Sequence, residues 1–330
     1  MRVETAGIVI LLLLLGAILI YMTGTRVMNY MEKLRRRVPG GLEGFSNHRN
    51  KTTRVVDDPK DFYDDFYTNR IHQSYYPDSK NICRCSDLYK TAFLRLYPRD
   101  KTRALLVGAN TGRFLDALCG ICPEVTGLTR FPKLRDVADK MAPKARVKVG
   151  DAATDHDLFH VGTFTHVIFE DRALYEFHSH DERRAALKNS IRWLEPGGRL
   201  VLRVADRDRF DPMVPTSVPI RGLNIQNYLK DQKRDSRVYF KDGSRIETNF
   251  TAIPSEDRAV FREDLYDNGG AFVRTQVHRW SMPNKDAILE EVMAMGMEHD
   301  QSLSLTPCTT PYESYEIFIK PEYKLATKVD

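Results

Sequence analysis

Cysteine is scarce in this chain: five residues in 330, at positions 83, 85, 119, 122 and 308. An odd count without framework spacing argues against a disulfide-stapled scaffold and fits a reducing compartment. Charge of one sign is missing too. Fifty basic residues stand against 45 acidic ones, a net +5, and the two kinds are interspersed. That balance does not point to nucleic acid. No internal repeat is present, and no low-complexity tract apart from one apolar run, so a solenoid is excluded. What remains is an ordinary globular composition, 42% hydrophobic and 29% charged, long enough for one large domain or two modest ones.

The apolar run is "AGIVILLLLLGAILIYM", Ala6 to Met22, without a charge. It meets the lower limit of ~17 residues for a membrane-spanning helix. It ends in Ile20, Tyr21 and Met22 with no small-residue cleavage pattern after it, which favours an uncleaved anchor over a signal peptide. Arg26, Lys33 and Arg35–Arg37 follow the run, whereas only Arg2 precedes it, offset by Glu4. The positive-inside rule therefore predicts a single-pass protein with everything after residue 23 in the cytoplasm. "KLRRR" also suits an anionic membrane surface; no aromatic interleaving marks it for nucleic acid. Two sequons, at Asn50 and Asn249, would be modified only in a lumen.

Residues 23–58 are polar, basic and interrupted by "PGGLEG", a linker. "PKDFYDDFYTNRI" (59–71) and "SDLYKTAFLRLY" (86–97) have helical spacing. Then short apolar runs recur: "ALLV" at Ala104, "VTGL" at Val125, "RVKV" at Arg146, "THVIF" at Thr165, "RLVLRV" at Arg199. Helix-compatible stretches separate them. One opens on Pro132, and one carries a Ser179/Glu182 capping box, has Leu187, Ile191 and Leu194 on one stripe, and is stopped by "EPGG" (195–198). Strands alternating with helices predict a parallel α/β sheet. From 206 to 282 the pattern becomes an antiparallel insertion, with a hairpin turning at Asp242-Gly243 and strands in "RAVFREDLY" and "AFVRTQVHRW". A helix, "NKDAILEEVMAMG", and a last strand, "SYEIFIK", close the fold.

In such a sheet the ligand sits beside the first strand–helix turn. Here that turn is "ALLVGANTGRFLDAL". The dinucleotide spacing G-x-G-x-x-G fails at two of three positions, which argues against a nicotinamide-dependent oxidoreductase. The spacing G-x-G-x-G holds at Gly108 and Gly112, with Asn110 between them. The loop resembles the first motif of class I S-adenosylmethionine (SAM)-dependent methyltransferases. "GDAATDHDLF" (150–159), "FTHVIFEDRALYEF" (164–177) and "WLEPGGRLVLRV" (193–204) follow in the order of that family. The later segments are similar to methyltransferase-like proteins of large DNA viruses and some protists.

The resemblance implies a Rossmann-like, seven-stranded class I methyltransferase sheet over 59–322, with the insertion as an acceptor-side cap; the apolar run adds one transmembrane helix before it, and a tail follows at 323–330. It implies SAM as cofactor. Gly108, Ala109, Asn110 and Gly112 would border its methionine part, Thr129 and Arg130 its ribose, Asp151 and Ala152 its adenine, and Tyr63 and Tyr67 would cover it. Glu170 either meets the cofactor amine or pairs with Arg172. The family's usual acids before the first glycine and after the second strand are here Leu106 and Thr129. Thr129 offers one neutral acceptor where a carboxylate offers charge-assisted ones.

Methyl transfer needs positioning more than a base. His278 is the candidate base, or else one polar position on an antiparallel strand. Cys119-x-x-Cys122 lacks a second cysteine pair with ligand spacing, and His178-x-His180 falls in the helix entry that Ser179 and Glu182 already explain, so no metal site is expected. Two functions stand: a membrane-tethered methyltransferase acting on a small molecule, lipid or protein, and a degenerate fold serving as a tethered scaffold.

Overall fold

The protein is described here from a computed structural model. It describes residues 55–68, 101–210, 218–219, 233–305 and 312–322, except 66, 171 and 241. The apolar run at 6–22, the linker to residue 54, the 86–97 segment and the tail from 323 lie outside these. Among the described residues no helix is long and apolar enough to cross a membrane.

The apolar runs become strands. β2 (Arg103–Val107), β3 (Glu124–Thr129), β4 (Arg146–Val149), β5 (Phe164–Phe169), β6 (Leu194–Ala205), β12 (Glu298–Ser304) and β13 (Glu313–Ile319) form a seven-stranded sheet. Its order is β12-β13-β6-β5-β2-β3-β4. β13 runs antiparallel to β6 and to β12, while the other pairs are parallel. Central β5 is buried at every residue, as a strand covered on both faces must be. Edge strand β4 exposes Arg146 and Lys148, charges that discourage pairing with another chain. The chain order reverses between β2 and β5, which opens a crevice at their carboxyl ends.

Among the described residues four helices connect and cover this sheet: α1 (Arg113–Cys119), α2 (Pro132–Met141), α3 (His180–Trp193) and α4 (Lys285–Ala294). α2 opens on Pro132, where the missing N–H costs nothing. At α3 the Ser179 hydroxyl accepts the Glu182 N–H at 3.1 Å. The returning bond from Glu182 goes to the N–H of His178, at 2.9 Å. The helix stops at "EPGG" as its sequence predicts, and the chain there also enters the sheet. α3 ends at Trp193 and Leu194 already pairs with Phe164. Gly197 (φ +75°) and Gly198 exchange hydrogen bonds with Lys320 at 2.8 and 2.9 Å. The motif is thus the irregular start of β6, held by the end of β13. β12 was not foreseen because its "EHDQSLS" is polar; it is an edge strand.

The insertion builds a second sheet of six strands, ordered β1-β11-β10-β9-β8-β7. Its strands are β7 (Val218–Pro219), β8 (Lys233–Tyr239), β9 (Arg245–Ile253), β10 (Arg258–Tyr266) and β11 (Phe272–Ser281). The hairpin turns at Asp242 and Gly243 (φ +86°) as its sequence predicts. β1 (Val55–Val56) comes from before the domain and pairs parallel with β11. After it the chain forms a 3-10 turn, Pro59–Asp61, and a short helical turn in which the Thr68 N–H meets the Asp64 carbonyl. Within 59–71 the described residues are thus a 3-10 turn followed by helix at 65, 67 and 68, and residues 66 and 69–71 lie outside the description. Buried Arg274 anchors this segment: its guanidinium binds the Phe62 carbonyl at 2.8 Å and pairs with Asp64, fixing it to β11. The two sheets share one core, in which Phe62, Tyr67, Phe250, Phe261 and Trp280 pack with Val107, Phe169 and Leu202.

Candidate functional site

The loop after β2 has three left-handed residues: Gly108 (φ +76°), Asn110 (φ +45°) and Gly112 (φ +87°). A Cβ on Gly108 would lie 2.4 Å from the Cβ of Ala173, and one on Gly112 2.7 Å from the Cα of Ala138. Both glycines are thus required by neighbouring backbone and side chain. Asparagine tolerates the left-handed region better than most residues with a side chain, so Asn110 can replace a glycine. The N–H groups of Gly108 and Ala109 both donate to the Leu128 carbonyl, at 3.0 and 2.9 Å. That pins the loop to the end of β3.

A narrow cleft of about 30 Å³ opens beside this loop. Gly108, Asn110, Thr129, Arg130, Asp151 and Ala152 line it together. Ala109 is buried behind it among the side chains under α1, and Gly112 is the N-cap of α1. Thr129 is buried, and its hydroxyl accepts the Phe131 N–H at 3.2 Å. Arg130 arches across the cleft. Its guanidinium lies 4.0 Å from the Asp151 carboxylate and 3.8 Å from that of Glu176, and donates to the Glu176 carbonyl at 3.2 Å. It also stands 5.6 and 5.5 Å from the rings of Phe131 and Phe177. Asp151 keeps one oxygen on the Ala153 N–H, at 2.8 Å.

Glu176 was missed by sequence reasoning. It lies on the loop after β5, where no periodicity marks which side chain turns inward. Glu170 takes a different place from either reading of it. It is 1% exposed and accepts from Arg203 Nη1 at 2.8 Å and from the Tyr315 hydroxyl at 2.7 Å. It ties β5 to β6 and β13. Arg172 instead lies over Trp280 and Phe261, 5.4 and 5.9 Å from their centroids, joining this loop to the second sheet. Leu106, at the position of the absent acid, is core, packed with Ala104, Ile168 and Val201. A carboxylate there would be desolvated.

A second cleft, of about 430 Å³, shares Arg130, Phe131 and Glu176 with the first. Phe62, Tyr63, His278 and Trp280 line its other side. Tyr63 packs on Phe131, centroids 4.7 Å apart. Tyr67 lines neither cleft: it is buried, and its hydroxyl donates to Glu263 Oε2 at 2.5 Å. The same oxygen lies 2.8 Å from His278 Nε2 and accepts from Gln276 Nε2 at 3.3 Å. Glu263 had one sequence signal. It stands at an inward position of β10, between buried Phe261 and Leu265.

Among the described residues no group of histidine, cysteine and acidic side chains is arranged to hold a metal. Cys119 ends α1 and Cys122 is buried just after it, and burial pushes the Cys119 thiol up. His180 pairs with Glu291 at 3.1 Å, holding α3 to α4.

Residues 105–202 match the family model described as a methyltransferase domain. No curated protein matches the chain by sequence. Among solved structures the fold is similar to that of the CcbJ methyltransferase from Streptomyces caelestis, with 14% identity and a TM-score of 0.57, covering 79% of this chain and 100% of that one. It is also similar to SAM-bound CalS10, an amino pentose methyltransferase from a Micromonospora involved in calicheamicin biosynthesis (21%, 0.54, 83% and 100%). A third is the sugar N-methyltransferase KedS8 from a Streptoalloteichus (17%, 0.52, 86% and 100%). The chain therefore has the Rossmann-like α/β fold of class I methyltransferases, with a mixed seven-stranded sheet.

Proposed function

We propose that this protein is a SAM-dependent methyltransferase that acts on a small-molecule acceptor and is tethered to a membrane by residues 6–22, its fold in the cytoplasm. The carrying observation is the pair of clefts that share Arg130, Phe131 and Glu176 at the carboxyl ends of the parallel strands. Methyl transfer needs two such compartments meeting at one wall. The lining of the first suits the cofactor. Asp151 and Glu176 are acceptors for hydroxyl or ammonium groups, the Arg130 guanidinium suits a carboxylate, and Phe131, Leu128 and Ala152 are apolar surface for a purine. When bound, SAM supplies a methyl group on a sulfonium, an electrophile that the protein has only to orient and shield. The neighbours that act on sugars and amino pentoses support a small acceptor.

A fold that binds without catalysing has its own support. Thr129 replaces a carboxylate, Ala173 fills the approach to Gly108, and Arg130 crosses the cleft. A thermal-shift comparison tests the cofactor reading. S-adenosylhomocysteine at 100 times its Kd should stabilise the full chain by about 2.7 kcal/mol, while NADH leaves the melting temperature unchanged. No shift with S-adenosylhomocysteine, or an equal one with NADH, contradicts it. Carbonate extraction checks the tether: the full chain should stay with membranes and a chain lacking residues 1–22 should not.

A further inference from the structure

The second sheet alternates as an antiparallel sheet should, but its inner face is not wholly apolar. In β9 the buried positions are Ile246, Thr248, Phe250 and Ala252; in β10 they are Ala259, Phe261, Glu263 and Leu265. The register sets Phe261 opposite His278 and Glu263 opposite Gln276. Glu263 and His278 are therefore diagonal neighbours on one face, where long side chains meet. Glu263 is 0% exposed and places a carboxylate among aromatic rings. Such a group is costly unless it is bonded, and three bonds converge on one of its oxygens, from Tyr67, Gln276 and His278.

This arrangement does something to the imidazole. Among the described residues Glu263 is the one polar partner of His278, and it meets Nε2. A carboxylate acceptor requires the proton on Nε2, so the neutral ring presents an unprotonated Nδ1. The ring packs against Phe62, centroids 4.5 Å apart and planes tilted by 55°, and forms part of the wall of the second cleft. Tyr63, Phe131 and Trp280 also line that cleft, faces suited to a flat, partly apolar molecule, beside the charged Asp57, Asp58, Arg130, Glu176 and Arg279.

We infer that the second cleft is the methyl-acceptor site for a flat molecule bearing an aromatic hydroxyl, and that His278, held by Glu263, removes the hydroxyl proton through Nδ1. This rests on the methyltransferase reading above. A hydroxyl oxygen is a weak nucleophile until its proton leaves, and a phenol keeps that proton in neutral water. The O–H bond breaks and the proton passes to Nδ1. The oxygen then bonds to the methyl carbon as the carbon–sulfur bond breaks, its electron pair remaining on sulfur. Imidazolium, stabilised by the Glu263 carboxylate, returns the proton to water. His278 is the catalytic residue and Glu263 a positioning residue.

The test uses 4-nitrophenol, whose phenolate is coloured, with the full chain and no cofactor, at a pH where the free probe is mainly protonated. Wild type should bind it with the visible phenolate band appearing. His278→Gln, whose amide still donates to Glu263, should bind it with the band reduced at least tenfold. Glu263→Gln should reduce the band several-fold, and ¹⁵N spectra should show the loss of the Nε2–H tautomer. Circular dichroism confirms that each variant is folded. No phenolate band with wild type, or an equal band with folded His278→Gln, overturns the proposal. S-adenosylhomocysteine binding is measured separately. A phenolate band without that binding removes the methyltransferase reading and with it the acceptor assignment.

Discussion

The two sheets bury their strands by different rules. In the seven-stranded sheet central β2 is apolar on both faces, burying Ala104, Leu105, Leu106 and Val107 in succession, and buried polar groups such as His166 and Arg199 stand singly on the neighbouring β5 and β6. In the six-stranded sheet one face is apolar except for a row of buried polar groups, Thr248, Glu263, Gln276 and Arg274. The first sheet holds its ligand crevice with loops at the strand ends. The second presents chemistry from the strands themselves. Strands are stiffer than loops, so an orienting contact such as Glu263 to His278 is held more firmly there.

That contrast predicts where the molecule is most fragile. Glu263→Ala leaves Tyr67, Gln276 and His278 without their acceptor and opens a cavity, a cost of about 4 kcal/mol. Thermal unfolding should fall by roughly 10 °C. A loss under about 1 kcal/mol would mean that the polar row is not an ordered network. Leu105→Ala, in the apolar centre, should cost about 3 kcal/mol and leave the 4-nitrophenol band of the folded protein intact. If it abolishes that band, the two sheets do not divide the labour.

What could be read in advance follows the same division. β2 to β6 follow short apolar runs separated by helices, and each lies where its run does. The Asp242-Gly243 turn and the Asn284 cap, which accepts the Ala287 N–H at 2.8 Å, are equally local. The site is less legible. Gly108 and Asn110 lie on a loop whose glycine spacing marks them and Asp151 and Ala152 follow β4, but Glu176 and Glu263 reach their places through tertiary packing. Tyr67 and Glu170 have the right chain positions and the wrong directions, because stronger partners, Glu263 and Arg203, claim them. Leu106 shows the same limit: its place in the motif says acid, and its place in the core says leucine.

The smallest expected effect is on the cofactor side. Thr129→Asp can keep the cap on the Phe131 N–H and adds a carboxylate beside the cleft, so S-adenosylhomocysteine affinity should rise about tenfold, or ~1.4 kcal/mol. An unchanged affinity would mean that Asp151 and Glu176 already fill that role.

The most direct measurement is titration calorimetry of S-adenosylhomocysteine into the full chain, beside Gly108→Arg. That substitution forces a side chain into the 2.4 Å approach of Ala173 at φ +76°. The account predicts micromolar binding by the wild type, about −8 kcal/mol, and none by the folded variant. No binding up to millimolar concentrations by a folded wild type would contradict it and leave the scaffold reading in its place.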